Sequence, residues 1–448
     1  MEEKAKPRLR LADRTIRLPE IVLDKLVGPD HPARAVWDYV CALDLSPLLS
    51  AIRAVEGAPG RDATDPRLLV ALWMWATSDG IGTARGIDEL CREHGAYRWL
   101  TGGVTLNYHT IASFRSGNAA ILDEFLETHV SALLRHGLID LSCVAQDGMR
   151  TRASAGTGSF RREASIGECQ KLVREQIETL KRQEDESLDA VSRRQQAARL
   201  RHAEERLARL GAAKQAAAEL GAKQAERVRL HPKEAKERGT AGKPGRASTT
   251  DPEARQMKMA DGGTRPAYNV RIATTTDTGI IVGVEVSNQG SDNGLFRPMA
   301  EEIRESYGEY PKQALMDGGY GSKADVESAH AEGIEVFTPL KNEEKERESG
   351  KDPHAPKKGD GPGMKALRAR MGTASAKELY KKRASTAEWV NAGMRQRGLT
   401  RFTVRGRAKA RAVAVLQALT HNLWQTLRLL GAKKDGRNWA EILRAEVA

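Results

Sequence analysis

Asp147 and Asp317 each stand at the end of a short apolar run and are each followed at once by glycine, in IDLSCVAQDG and QALMDGG. A strand that ends on an acid and turns on a glycine presents its carboxylate at a sheet end. The glycine leaves the backbone open where a bulky substrate or ion approaches. Two such acids can meet, and carboxylates converging from separate elements are what a pair of divalent cations requires. Two ions about 4 Å apart make a nucleophile of water or a 3′-hydroxyl and neutralise the leaving oxygen of a phosphodiester. Magnesium keeps waters and phosphate oxygens among its ligands, so three protein acids suffice. Taken singly, an Asp-Gly pair is also an ordinary turn signal. It is the order of elements around the two that makes them candidates.

The third acid is expected from the helix that follows the last strand, where Glu378 and Glu388 compete. Spacing favours Glu388: Arg395 lies two turns further along the same face, and Tyr380 lies within about 80° of Glu388 at about 100° per residue. A Tyr, a Glu and an Arg on one face can address a metal-bound phosphate, since Arg takes phosphate oxygens bidentately.

The elements that must hold these residues can be read from the pattern. Residues 1–138 are helical in pattern, with Asp30 before Pro32 and Asp65 before Pro66 as helix starts. A strand begins at Ile139, and residues 139–162 open an α/β core. Residues 163–250 interrupt that core with a helical arm rich in Glu, Arg, Gln, Ala and Leu, followed by a basic linker. The arm reads as a hairpin whose turn falls either at Glu184–Ser187 or at Gly211. Between 251 and 340 the core resumes. Val270, Ile272, Ile280, Val282, Val284 and Val286 flank a turn at Asp277 to Gly279, a β-hairpin, and strands and helices then alternate. Residues 341–375 read as a charged loop. Residues 376–448 carry the helix of Glu388 and a last amphipathic helix, with Leu416, Leu419, Leu423, Leu427 and Leu430 on one face. Strand, hairpin, helix, strand, helix, strand, helix is the order of an RNase H-like domain.

Composition narrows the partners. Lys and Arg number 72 against 60 acids, a formal charge of +12, the balance of a chain that meets a polyanion. Cys41, Cys91, Cys143 and Cys169 lie far apart, with no paired spacing and no His at ligand distance, so neither a zinc site nor a disulfide scaffold is indicated. The first residues carry no apolar leader core, and no later stretch approaches the ~18 apolar residues of a membrane span. A cytoplasmic, nucleoid-associated protein is expected.

At ELYKKRASTAEWVNAGMR the chain resembles the Tyr-Arg-Glu-Lys signature of bacterial insertion-sequence DDE transposases, with Tyr380, Arg383, Glu388 and Arg395 at the matching positions. It departs from the common pattern in having four residues between Arg383 and Glu388 instead of three, and Arg395 in place of Lys. The extra residue rotates Arg383 away from Glu388 unless the helix starts after Arg383 or carries a π-bulge. The segments VAQDGMRTRASA, RASTTDPEARQMKMADGGTRPAYNV, VSNQGSD and LMDGGYGS are similar to core blocks of the same family. The resemblance implies an RNase H-like core in which Asp147, Asp317 and Glu388 hold two Mg²⁺ or Mn²⁺ ions. It also implies an N-terminal all-α domain that helps bind transposon ends, and assembly as an oligomer, a dimer being favoured. The partners it implies are double-stranded DNA of the element's terminal inverted repeats and of the target, and the reaction is cleavage followed by strand transfer.

Phosphate contacts are expected from Arg150 and Arg152 beside the first acid, and from Arg405, Arg407 and Lys409 in the basic run RFTVRGRAKAR, which also holds Arg401 and Arg411. Asn107, Thr110 and Arg115, on the last short helix of the N-terminal region, are candidates to reach base edges or neighbouring phosphates. Two other readings fit the same residues: a catalytically silent, transposase-derived DNA-binding regulator, and an RNase H-like nuclease.

Overall fold

The apolar run that carries Asp147 forms a ten-residue strand, β1 (Cys143–Arg152), at the centre of a mixed sheet. The computed structural model describes residues 8–433, apart from 16, 19, 20, 58, 60, 183–189 and 238–243, together with 435–443. Further along the chain come β2 (Phe160–Arg162), β3 (Arg246–Ser248), β4 (Arg255–Lys258), β5 (Thr264–Thr275) and β6 (Ile281–Ser287). They are followed by β7 (Gln313–Met316) and β8 (Glu335–Phe337). The sheet runs β6-β5-β1-β7-β8, with β4 also paired to β5. Its first three strands are antiparallel, while β7 and β8 are parallel to β1 and to each other. This arrangement suits the RNase H-like core that the resemblance implies. The hairpin expected around Asp277–Gly279 is β5–β6, with Val284 opposite Ile272 and Val286 opposite Val270.

One hydrophobic core joins the sheet to the N-terminal helices. Those are α1 (Pro32–Ala42), α2 (Pro66–Ser78), α3 (Ala84–Glu93), α4 (Gly95–Thr101), α5 (Tyr108–Gly117) and α6 (Ala119–Arg135). Pro66 opens α2 and the Asp65 carboxylate accepts from Arg67 N at 2.9 Å, which is the N-cap the sequence announces. At α1 the cap is the ring of His31, accepting from Ala33 N, and not Asp30.

After β6 come α9 (Phe296–Tyr307), α10 (Lys323–Ala331), α11 (Pro362–Met371), α12 (Ala374–Gln396), α13 (Arg407–Lys433) and α14 (Trp439–Leu443); the arm supplies α7 (Glu163–Arg182) and α8 (Ala190–Leu230). The last long helix, α13, differs from the amphipathic helix expected of it. Leu416, Leu419 and Leu423 are buried, but so are Ala412, Gln417, Thr420, His421, Asn422 and Thr426 around the rest of its circumference. The cause is its place between β6 on one side and α2 and α6 on the other. Asn422 meets the backbone of Ile281 twice, accepting from its N–H and donating to its carbonyl, both at 2.8 Å, and so satisfies the edge strand. A second polar bridge runs Tyr39–His129–Thr426, each contact 3.0 Å, through an imidazole that is fully buried.

In the arm, α7 and α8 pack along their own apolar seam, where Ile166, Val173 and Ile177 meet Ala203, Leu210, Ala213 and Ala217. Gly211 lies inside α8 and is not a turn. The other candidate turn, Glu184–Ser187, falls outside the described residues. Strands β2 and β3 close the root of the arm by pairing antiparallel. Residues 341–375, read as a charged loop, contain a short helix, Glu343–Glu348, and α11. Asp360 fastens this segment by ion pairs to Arg368 at 2.6 Å and to Lys323 at 3.2 Å.

Burial lowers the pKa of His129 to about 3 and that of His421 to about 4. Both fall below the ordinary imidazole value in the folded state, so their contribution to stability is complete above about pH 6.5 and is lost as pH falls toward those lower values. Each buried imidazole is expected to cost roughly a kcal/mol of stability per pH unit below pH 6.5. Urea unfolding midpoints from pH 7 to pH 5 measure this, and His129→Gln should flatten the dependence while lowering stability at pH 7.

Candidate active site

The parallel register of β1 and β7 sets Met316 beside Gln146, so the residues that follow, Asp147 and Asp317, come side by side. Asp317 follows the end of β7 as expected, but Asp147 lies within β1, opposite Ile272, and the strand runs on through Gly148 because β5 pairs with it as far as Arg152. The Asp147 side chain is largely buried, at 20% exposure, whereas that of Asp317 is 56% exposed and accepts from its own Gly318 N–H. Helix α12 crosses above them. Arg383 donates Nη2 to Asp147 Oδ1 at 3.3 Å and reaches Asp317 Oδ1 at 4.0 Å. Asn391 donates Nδ2 to Asp147 Oδ2 at 2.9 Å. Tyr380 donates its hydroxyl to the carbonyl of Met316, the last residue of β7, at 3.1 Å and so pins the helix to the strand that carries Asp317.

Of the residues expected here, the structure therefore brings together Asp147, Asp317, Tyr380 and Arg383. It does not bring Glu388 to them. Helix α12 is unbroken from Ala374 to Gln396, so the helix neither begins after Arg383 nor carries a π-bulge. Five residues of regular helix place Glu388 about 140° round from Arg383. Glu388 and Arg395 both lie exposed, about 20° apart, on the outward side, while Tyr380 and Arg383 face the carboxylates. Asn391 was not foreseen, although its position could have been: it stands eleven residues after Tyr380, three turns on, within about 20° of the same azimuth.

A third carboxylate lies on the other side of the strand ends. Asp292, in the loop after β6, accepts from Asn269 Nδ2 at 2.6 Å. A Cβ at Gly148 would stand 2.9 Å from Asn269 Oδ1, 2.9 Å from the Tyr320 hydroxyl and 3.3 Å from Asp292. This glycine thus makes room for neighbours of the sheet itself, unlike Gly318, around which nothing lies within 4 Å. The openness expected beside both acids exists beside Asp317 alone. Tyr320 is 1% exposed, and its hydroxyl finds no hydrogen-bond partner among the described residues.

The charges of the pocket do not balance. Burial raises the Asp147 carboxyl above the usual range; Arg383 opposes the shift, and Asp317 and Asp292 add to it. One guanidinium facing two carboxylates leaves a surplus of negative charge, which fits a divalent cation on the Asp147–Asp317 pair. Among the described residues, however, no group of three or more Asp, Glu, His or Cys converges as metal ligands would.

The basic residues singled out from the sequence divide by their partners. Arg150 is spent on two backbone carbonyls, Lys258 O and Gly290 O, and Arg152 on Asp261 at 3.2 Å. Arg405, Arg407 and Lys409 are exposed, while Arg411 pairs with Asp123 at 3.0 Å and Glu302 at 2.7 Å and ties α13 to α6 and α9. Arg115, expected at the DNA face, is 6% exposed, stacks 3.8 Å from the Trp73 ring, and donates to Gly82 O and Thr403 Oγ1, so that it packs α5 against its neighbours. Asn107 caps α5, its side chain accepting from Thr110 N, which commits both residues to the helix end.

Residues 235–423 match the family model of the transposase DDE domain, and residues 21–117 match that of a transposase domain, DUF772. The first range takes in Asp317 and all of α12 but begins after Asp147. Neither the curated proteins nor the solved structures include a match to the chain.

The contrast between the two glycines is open to measurement. Gly148→Ala is expected to destabilise the protein by about 1–3 kcal/mol through overpacking, and Tyr320→Phe in the same chain should recover part of the loss. Gly318→Ala should stay within about 0.5 kcal/mol of wild type, as exposed substitutions do. Urea denaturation of the four chains decides; equal costs at the two glycines would contradict the packing described.

Proposed function

Because the chain belongs to the DDE transposases of insertion-sequence type, we propose that it cuts phosphodiester bonds at the ends of its element and joins those ends to target DNA. The observation that carries this reading is the pairing of Asp147 with Asp317 by the β1–β7 register, under a helix that supplies Arg383. A divalent cation, Mg²⁺ or Mn²⁺, held by Asp147 and Asp317 with Glu388 as third ligand would activate a water or 3′-hydroxyl and neutralise the leaving oxygen.

The chain's own groups do the rest. Asn391 fixes one oxygen of Asp147, leaving the other directed at Arg383. Arg383 offsets part of the charge of the pair in the free protein, and were that charge met otherwise its guanidinium would be available to a scissile phosphate, which it would match bidentately. Gly318 leaves the floor beside Asp317 open to DNA. Glu388 borders this face on the outward side, next to Arg395, where an approaching duplex meets α12. To serve as the third ligand its carboxylate would have to turn inward to the pair, the one residue of the three that is not already there. Double-stranded DNA, both element ends and target, is the partner, and the active form is an oligomer, a dimer by preference.

The outward position of Glu388 favours one second reading, a chain that keeps the fold and binds DNA without cutting it. Incubation of the protein with element-end DNA and Mg²⁺ or Mn²⁺ separates the two, since 3′-hydroxyl ends at the boundary require chemistry. Asp147→Asn, Asp317→Asn and Glu388→Gln should each abolish cleavage and spare end binding. Asn391→Ala should lower the rate by about 10–100-fold, the cost of losing a group that orients a metal ligand. An active Glu388→Gln chain would remove Glu388 from the triad and pass its place to another acid, of which Asp292 is the nearest to hand.

A further inference from the structure

Where the arm meets the core there is a groove of about 670 Å³ whose lining comes from five separate parts of the chain, Ser116 of α5 among them. Arg209 enters it from α8, Arg405 from the segment just before α13, and Lys409 from the first turn of α13. Ser154 follows β1, and Asp251 and Glu253 belong to the loop before β4. The two acids do not serve the three bases. Asp251 Oδ1 accepts from the Tyr268 hydroxyl at 2.8 Å and from Gly406 N at 3.3 Å, and Glu253 Oε2 accepts from Arg407 N at 2.9 Å. Both carboxylates are thus committed to the first turn of α13 and its approach.

Arg209, Arg405 and Lys409 make no ion pair among the described residues. The Nε of Arg209 is buried with no hydrogen-bond partner. Burial first, and then the nearness of Arg405, disfavour the charged form of Arg209, with Glu205 on the same helix acting the other way. A buried donor left unmet costs about 1–3 kcal/mol, and like charges held together add to that. The fold therefore maintains a small basic cleft that an anion would relieve. Helix α8 as a whole carries ten Lys and Arg against four acids, a surplus of six in a chain whose formal charge is +12.

The groove also lies in line with the active site. From Asp147 to the end of β1 at Arg152 is about 17 Å at about 3.3 Å per residue, and Ser154 of the groove follows at once. At about 3.4 Å per step along a DNA strand, that distance is about five base pairs.

We propose that the groove between the arm and the start of α13 is a track for one DNA backbone, in which Arg209, Arg405 and Lys409 take phosphates about five base pairs from the bond held at Asp147 and Asp317. The assignment rests on the reading of the protein as a DNA transposase and extends it by giving the inserted arm a part in holding the duplex. Its contacts are to phosphate and carry no sequence information.

The test is duplex binding measured by fluorescence anisotropy between about 50 and 200 mM salt. Element-end and scrambled DNA are each titrated with wild type, Arg209→Gln/Lys409→Gln, and Lys223→Gln/Arg227→Gln, two exposed positions further along α8. Removing two phosphate contacts should flatten the slope of log affinity against log salt by about two. The loss should be the same factor on both duplexes, while the distal pair shifts the slope by less than half as much. Circular dichroism of all three chains should coincide. Ethylation of phosphates about five base pairs from the cleaved bond should interfere with binding of wild type but not of the Arg209→Gln/Lys409→Gln chain. An unchanged slope for that chain, or an equal loss in the distal pair, overturns the groove while the DNA reading stands. A wild-type protein that binds neither duplex overturns the DNA reading itself, and the groove with it.

Discussion

Two carboxylates held on adjacent parallel strands repel each other, and the rest of the site is arranged around that repulsion. The β1–β7 ladder leaves Asp147 no way to avoid Asp317, because the register of a parallel pair is fixed by its hydrogen bonds along the whole strand. Burial makes matters worse for Asp147. Arg383 and Asn391 offset this from above, and Tyr380 holds their helix in place by a bond to the end of β7. A charge arrangement this uneven is costly to keep in a fold that has no use for it, and perturbed carboxylates of this kind cluster at working sites.

The same constraint explains how the remainder of the chain is packed. For α12 to stand over the strand ends it needs a support behind it, and α13 supplies one by lying buried between the sheet and the N-terminal helices. Its buried polar residues find partners: Asn422 in the edge strand, His421 in Gly279, Thr426 in His129. The N-terminal helices are thereby part of the hydrophobic core that backs the site. Changes in them would be felt at Asp147 through α13.

The arm follows a different logic. It has its own seam of Ile, Val, Leu and Ala and is rooted by the short β2–β3 pair, so it adds length without disturbing the sheet into which it is inserted. Insertion between β1 and β5 costs little because β2 and β3 bring the two chain ends of the arm together at its root. What it adds is a long basic helix, with ten Lys and Arg against four acids.

The sequence alone determined which residues meet at the candidate site where the signal was local. Asp317 was legible because a strand, an acid and a glycine are consecutive; Asp147 was picked out by the same signal although β1 runs on through Gly148 to Arg152, and the β5–β6 hairpin was legible from alternation about a turn. The arm was legible because helix formers fill it without interruption. Tertiary structure decided everything that depends on partners distant in the chain. Arg115 and Arg411 look like surface bases in one dimension, yet a stacked Trp73 and the acids Asp123 and Glu302 take them inside. Asn391 acquires its role only because α12 is laid across β1, and Gly148 is required only because Asn269 and Tyr320 arrive from other strands and loops. Glu388 shows the limit most clearly. Helical periodicity gave its angle relative to Arg383, but which side of α12 faces the carboxylates was set by Tyr380, Arg383 and Asn391 docking on the strand ends. That is a matter of packing between elements, which no spacing within one element can fix.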